Sequence, residues 1–505
     1  MSRARVAWNS ASATVLFVTN VIISFVMAPT YVHSLGQEGY GIWELMIGLV
    51  GYLGILELGV GPAMTRYIAV ARGKEDPTML QQVFSAGLLT FISAGIVGGL
   101  LLTLTTIDPS LVLNSQETST RELRFVLVIF ALNFAVSFAR SAFICMLMGS
   151  QAHAIVNSFR LCLSLVMALL IWNLLHSDHE QKLLVVACAA LGGVLVELLA
   201  FSLIVRLRYR SLRFTLRSTR DTVIELFRFG AKSASLIGAS NFFRSGLLFV
   251  LAHATSVANV VFYVFPARLV EYSQSLSLTM SLPLEPYFAD VIGRGGVEAT
   301  RDTWVVATRV MQFVTFGMFL GMVWLGLPFL TLWMGAEYAQ RGAVVFFFLC
   351  GALFAQALAA NSLRLLIGAG RHGAAALSSA IIGVVCLLAA YPLAKSVGIE
   401  GIAIAALAYT VVQSIYEIHL VCNYLTISPL QHVARAVKAY VPPLVVASAV
   451  FYALLRVDSP NSFPDLVLHG VLGGSTYLAA CAVFAMSGGE RAAVLGFIRS
   501  KRASR

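Results

Sequence analysis

The chain has 505 residues, of which 58% are hydrophobic and only 12% charged, and its formal net charge is +11. Its mean hydropathy is +0.83. An ordinary soluble domain carries about 25% charged residues, so this balance excludes a soluble globular protein. The positive charge does not point to nucleic acid, because Lys and Arg collect in short segments between apolar runs, where they set membrane orientation.

Apolar runs longer than about 18 residues recur from Trp8 to near Met486. Arg3 and Arg5 precede the first run, whose stretch from Ala11 to Val32 exceeds the roughly 7 to 15 residues of a signal-peptide core. It reads as a retained helix. Runs and their breakers then predict about fourteen helices. The first seven cover 8–32, 39–60, 80–106, 121–148, 153–175, 182–205 and 229–253. The other seven cover 257–288, 302–328, 342–368, 373–396, 400–422, 436–456 and 464–486. The predicted class is an all-α polytopic membrane protein.

An even helix count places both termini on one side, and the loops choose which. One set holds Arg3, Arg5, Arg66, Arg72, Lys74, the run from Arg206 to Arg220, Arg294, Arg301, Arg364, Arg371, Arg435, Lys438 and the tail from Arg491 to Arg505. The alternate set holds only Arg121, Arg124, Lys182, Arg341, Lys395 and Arg456. Basic residues are retained on the cytoplasmic face, so both termini are expected there.

The longest polar interruption, 206–228, divides the chain into an N-terminal six-helix lobe (1–205), a basic cytoplasmic linker, a second six-helix lobe (229–425), and two extra helices with a basic tail (426–505). Equal helix number and common orientation suggest parallel repeats. Two short matches at an offset of about 224 residues agree: SASL at 233–236 against SASA at 10–13, and Glu285-Pro286-Tyr287 against Gly61-Pro62.

Outer loops are short, the longest being 107–119. No Walker A loop, HExxH or GxSxG occurs. The seven cysteines lie in apolar segments without CxxC spacing and read as small core residues, with no metal site. Catalytic residues and a cofactor are not expected; movement of a substrate is.

Ionisable groups deep in membrane helices are functional candidates because burying them in lipid is costly. Arg244 lies deep in the seventh helix on a face with Ser233, Ser240 and Asn241. In the eighth, Arg268, Tyr272, Ser275 and Thr279 follow helical spacing, with Glu271 one turn from the arginine, either lining a cavity or forming a local ion pair. Asn133, Ser137 and Arg140 share a face of the fourth helix, and His153, Asn157, Arg160 and Ser164 one of the fifth. Arg160, near an inner end, could instead snorkel. Arg66 and Arg364, at inner helix ends, suit topology and head-group contact.

Of the carboxylates Glu44, Glu57, Glu197, Glu271 and Glu417, none clusters with another. Glu44, Glu271 and Glu417 are the candidates for Na+ or H+ coupling. Glu44 shares a face with Gly41, Gly48 and Gly51 and suits close helix packing equally well. Glu417 borders a polar wall of Tyr409, Gln413, Tyr416 and Asn423. Guanidinium matches phosphate bidentately, while amides and tyrosines suit sugars. The combined surface therefore fits an amphiphile with a phosphate and a glycan better than a lipophilic cation.

The stretch from Leu35, LGQEGYGIWELMIGLVGYLGILELGVGPAMTRYIA, resembles the start of the polysaccharide transporter (Wzx-type) family of the multidrug/oligosaccharidyl-lipid/polysaccharide (MOP) flippase superfamily. Leu35, Gly36, Tyr40, Gly41, Trp43, Leu58, Gly59, Gly61 and Arg66 carry it, and ELFRFGAKSASLIGASNFF from Glu225 looks like the start of that family's second lobe. The resemblance implies two pseudo-symmetric six-helix lobes around a V-shaped cavity, the MATE-like fold. It also implies alternating-access transfer of a polyprenyl-pyrophosphate-linked oligosaccharide, such as an O-antigen or exopolysaccharide unit, from the cytoplasmic to the periplasmic leaflet of a bacterial inner membrane. Cavity cations would hold the pyrophosphate, which agrees with Arg140, Arg160, Arg244 and Arg268. Membrane lipids and a polysaccharide polymerase or glycosyltransferase are the implied partners. The alternatives are a MATE-like drug or metabolite antiporter and, from another class, a membrane enzyme or scaffold of polysaccharide synthesis. Two helices beyond twelve, as in the peptidoglycan-precursor flippases, leave the subfamily open.

Overall fold

The computed structural model describes residues 3–57, 59–109, 118–213 and 220–485, apart from the side chains of 3–7, 10, 53, 55, 57, 229 and 231–237. Among them there is no strand. The helices are α1 (Arg3–Leu53), α2 (Val60–Gly73), α3 (Pro77–Leu104), α4 (Thr120–Gly149), α5 (His153–His176), α6 (Lys182–Arg208), α7 (Arg220–Ala254) and α8 (Val260–Ser281). They continue with α9 (Leu284–Met334), α10 (Ala336–Leu358), α11 (Ser362–Gly368), α12 (Gly373–Val397), α13 (Ile399–Leu425), α14 (Pro429–Val457) and α15 (Phe463–Phe484). The Ser233–Leu236 side chains behind the repeat match, the Glu57 side chain and the basic tail from Arg491 lie outside the described residues.

Among the described residues, eleven segments are long and apolar enough to cross a membrane, and large aliphatic residues face outward, as on Leu388, 72% exposed, and Leu199, 67%. In lipid that exposure carries no hydrophobic cost, and the helix satisfies its own backbone. Cys162 and Cys188 share this outward position, so the reading of every cysteine as core holds for five of the seven.

The breaks follow local chemistry. α1 joins the first two predicted helices across Gly36, whose φ of 72° only glycine adopts cheaply. α9 joins the end of the eighth predicted helix to the ninth, with a kink at Gly296. The loop expected after residue 60 is instead α2, which buries Val60, Ala63, Met64, Ile68 and Ala71 along one face. The tenth predicted helix is interrupted at Asn361, in a left-handed conformation with φ 62°. Asp76, Ser119, Ser428 and Ser462 cap α3, α4, α14 and α15 by accepting a backbone N–H, each contributing about 1 kcal/mol.

The chain divides into two compact units, Met1–Val261 and Phe262–Arg505. In the first, α3 and α4 approach through small residues: a methyl on Gly98 would sit 2.1 Å from the Phe134 ring. Met64, Phe84, Phe134, Phe138, Phe143 and Phe201 form the core there, and α7 packs on α1, α2 and α3. In the second unit, α14 and α15 dock on α9 through aromatic side chains that donate to its backbone. Tyr440 Oη donates to Arg309 O at 2.6 Å and Tyr477 Oη to Phe313 O at 2.9 Å. Trp324 Nε1 donates to Ser448 Oγ at 3.0 Å.

Candidate functional site

α4, α5 and α6 of the first unit each carry one charged side chain away from their ends: Arg140, Arg160 and Glu197. At 1.5 Å per residue these lie about 14, 10 and 16 Å from the α4 C-terminus, the α5 N-terminus and the α6 C-terminus. The three ends fall on one side, so the charges meet at one level. Arg140 Nη1 donates to Glu197 Oε2, and Arg160 Nε donates to Glu197 Oε1 at 3.2 Å. The carboxylate side chain is 10% exposed, the guanidinium side chains 21% and 29%. One buried anion therefore holds two cations, the trio keeps a net positive charge, and the arginines are the accessible members.

Polar neighbours extend this surface. Ser137 Oγ donates to Asn133 Oδ1 at 3.3 Å on the Arg140 face of α4. Asn157 is 8% exposed and donates from Nδ2 to Ser12 Oγ at 3.1 Å, tying α5 to α1. The geometry thus brings Arg140, Arg160, Asn133 and Asn157 into one unit. Sequence reasoning passed over Glu197 as their organiser. The signal was present, since Glu197 is the one carboxylate in α6 and stands at the depth of the two arginines.

Arg244 and Asn241 lie exposed on α7 of the first unit, while Arg268, Glu271, Tyr272 and Ser275 are half-buried on α8 of the second. Glu44 is 5% exposed and accepts the Tyr40 hydroxyl at 2.7 Å.

In the second unit the polar wall around Gln413 is built between α12 and α13. Gln413 Nε2 donates to Glu417 Oε1 at 3.0 Å, and Ser378 Oγ donates to Gln413 Oε1 at 3.1 Å. Ser379 and Tyr409 share a hydroxyl hydrogen bond of 2.7 Å, and Tyr416 faces outward, 36% exposed. Arg364 on α11 donates to Glu285 Oε2 at 3.2 Å and lies within electrostatic reach of Glu417. Arg364 stands 224 residues after Arg140, the offset of the proposed repeat. The two units invert the balance: two arginines around one carboxylate in the first, one arginine among two carboxylates in the second. Among the described residues no group of three or more His, Cys, Asp or Glu is placed to hold a metal ion.

This helical arrangement defines a multi-pass membrane protein with the fold of MOP-superfamily transporters. It aligns with the lipid II flippase MurJ in an inward closed conformation, at a TM-score of 0.71 and 10% identity over 94% of this chain and 98% of MurJ. It also aligns with an inward-facing multidrug resistance MATE transporter, at 0.66 and 14% over 81% of this chain and 94% of that one. A MOP-superfamily transporter from Pyrococcus furiosus, described by a binding pocket of reversed polarity, aligns at 0.53 and 14% over 84% and 94%. No curated protein matches the sequence. The chain belongs to the polysaccharide biosynthesis protein family, whose model matches residues 6–291.

Proposed function

We propose that this protein is a flippase that carries a polyprenyl-pyrophosphate-linked oligosaccharide from the cytoplasmic to the periplasmic leaflet of a bacterial inner membrane, with both termini cytoplasmic. The observation that carries the reading is the Arg140–Glu197–Arg160 cluster. Two accessible guanidinium groups held at one depth suit a diphosphate, which offers more acceptors and charge than a carboxylate. Membership of the polysaccharide biosynthesis protein family supports a glycan cargo. Amide and hydroxyl groups of Asn133, Ser137 and Asn157 would meet sugar hydroxyls, while the prenyl tail stays in lipid. Arg244 and Arg268 would contribute further cationic contacts, residues 206–228 would separate two repeats, and alternating access would expose the head group outward. Coupling by Na+ or H+ would fall to Glu44, Glu271 or Glu417, and a polysaccharide polymerase or glycosyltransferase would receive the product.

A MATE-like antiport reading draws on the Gln413–Glu417 wall, whose carboxylate suits a cationic substrate. Native mass spectrometry of the protein purified in mild detergent separates the two. A polyprenyl-pyrophosphate glycan on the wild type, absent from an Arg140→Gln/Arg160→Gln variant, is the expected result. Bulk phospholipid alone on the wild type, with drug accumulation in a deletion strain, would replace the flippase reading with the antiport one.

A further inference from the structure

We infer that Glu197 is an internal stand-in for the head-group anion: it holds Arg140 and Arg160 when no substrate is bound and yields them to the diphosphate. The inference rests on the flippase reading and assigns a role to a residue that contacts the substrate only through its partners.

The geometry supports a holder that can be displaced. Both carboxylate oxygens are committed, Oε2 to Arg140 and Oε1 to Arg160, so Glu197 has the bidentate reach of a small anion. A guanidinium has five N–H donors, and Arg140 Nε is buried without a hydrogen-bond partner among the described residues. That buried donor is closed to an incoming group, so a second anion would be met by the guanidinium N–H groups that Glu197 does not use and by those it releases. The arginine side chains, 21% and 29% exposed, admit an incoming group that the carboxylate, at 10%, does not. Removing the carboxylate from such a trio leaves two like charges at one depth in a low-dielectric setting, which raises their appetite for any anion.

A carrier needs this property. A site with permanently free arginines would bind diphosphate tightly and release it slowly, whereas a tethered carboxylate competes at a fixed local concentration and returns as the substrate leaves. Glu197 is therefore a positioning residue that lowers affinity and speeds release.

The test compares full-length wild type, Glu197→Gln, Glu197→Asp and Arg140→Gln in nanodiscs, with inorganic pyrophosphate and farnesyl pyrophosphate as calorimetric probes. A parallel assay measures transfer of a fluorescent polyprenyl pyrophosphate across proteoliposomes. Glu197→Gln is expected to bind both probes about tenfold tighter and to turn over more slowly, so that KM and kcat fall together. Arg140→Gln should lose binding. Carbodiimide labelling of Glu197 in the native protein supplies a second readout that does not depend on the folding of Glu197→Gln, and labelling should rise when pyrophosphate is added. A folded Glu197→Gln protein with unchanged or weaker affinity would overturn the inference while leaving the flippase reading standing. So would constant labelling beside measurable binding. Absence of binding to either probe in both wild type and Glu197→Gln would count against the flippase reading itself.

Discussion

Arg364 and Glu285 pair at 3.2 Å across α11 and α9, with side chains 15% and 34% exposed. In the sequence Glu285 stands out only as part of a repeat match; in the fold it anchors the break after α10. Solvent screens a pair this exposed, so its coupling should be about 1 kcal/mol. A double-mutant cycle of Arg364→Met and Glu285→Gln, followed by thermal unfolding in detergent, should return that value. Additive effects of the two changes would show that the pair contributes nothing.

The Arg140 and Arg160 prediction separates charge from shape. Arg140→Lys keeps a cation yet loses the planar fork, so export should fall by about tenfold if two parallel bonds to phosphate matter. Arg160→Gln together with Arg140→Gln should abolish export while membrane abundance stays near wild type. Glycan export in a deletion strain complemented by each variant, with immunoblotting of membranes, measures both. Full export by the well-expressed double variant would remove these residues from the substrate path.

Gly41 on α1 faces the turn before α8, and a methyl there would lie 2.3 Å from Val257 O. Backbone cannot swing aside as a side-chain tip can, so Gly41→Ala should destabilise the first unit by about 1–3 kcal/mol. Gly54, which would meet nothing within 4 Å, is the control and should tolerate alanine. Melting temperatures of the two variants decide the matter.

Much of the fold was readable because membrane helices declare themselves by length and apolarity: the runs 80–106, 121–148, 153–175, 182–205, 373–396, 400–422 and 464–486 reappear within about three residues at each end. What escaped prediction depended on features that apolar run-length ignores. α2 is too polar to count as a span, yet its buried stripe makes it helical. The break between the first two predicted helices, by contrast, was legible: Gly36, at φ 72° and ψ 173°, separates them by a kink inside α1. The candidate site was half legible: depth and helical spacing singled out Arg140, Arg160, Asn133 and Asn157, while their common partner Glu197 required knowing that α4 packs on α6. No periodicity within one helix records which of its neighbours it will meet.

Tyr67, in α2 outside the spanning segments, has its phenol held above the usual tyrosine range, first by a hydrogen bond to Glu225 and then by burial. A raised value favours the neutral donor. The stabilisation is therefore complete below about pH 10 and disappears as pH rises through the higher folded value. Glu225→Gln should lower Tyr67's titration toward the ordinary range. Tyrosine 13Cζ shifts, assigned by difference against Tyr67→Phe, read this directly; an unmoved titration would remove Glu225 as the cause.

Asn361 separates α10 from α11 at a positive φ of 62°, and its amide is buried at 6% exposure with no hydrogen-bond partner for Oδ1 or Nδ2 among the described residues. Ser362 Oγ and Trp304 Nε1, both fully buried, also have no partner among the described residues. Groups left this way either bind ordered water or carry a desolvation cost of about 1–3 kcal/mol each. The two cases predict opposite outcomes for Asn361→Gly, which keeps the left-handed backbone and deletes the amide. If the amide is dry, the variant should match or exceed wild-type stability by up to about 1 kcal/mol, because a burial cost is removed while glycine accepts the conformation. If the amide holds water, deletion strands that water's other partners and the melting temperature should fall. Asn361→Ala calibrates the backbone, since a methyl at this φ should cost about 1–2 kcal/mol in either case. Thr308 Oγ1, which donates to Ala360 O at 3.3 Å, and His432 Nε2, 3.4 Å from Leu358 O, already satisfy the carbonyls freed by the break. The dry case is therefore the expected one, with Asn361 retained for its tolerance of the left-handed turn rather than for its amide.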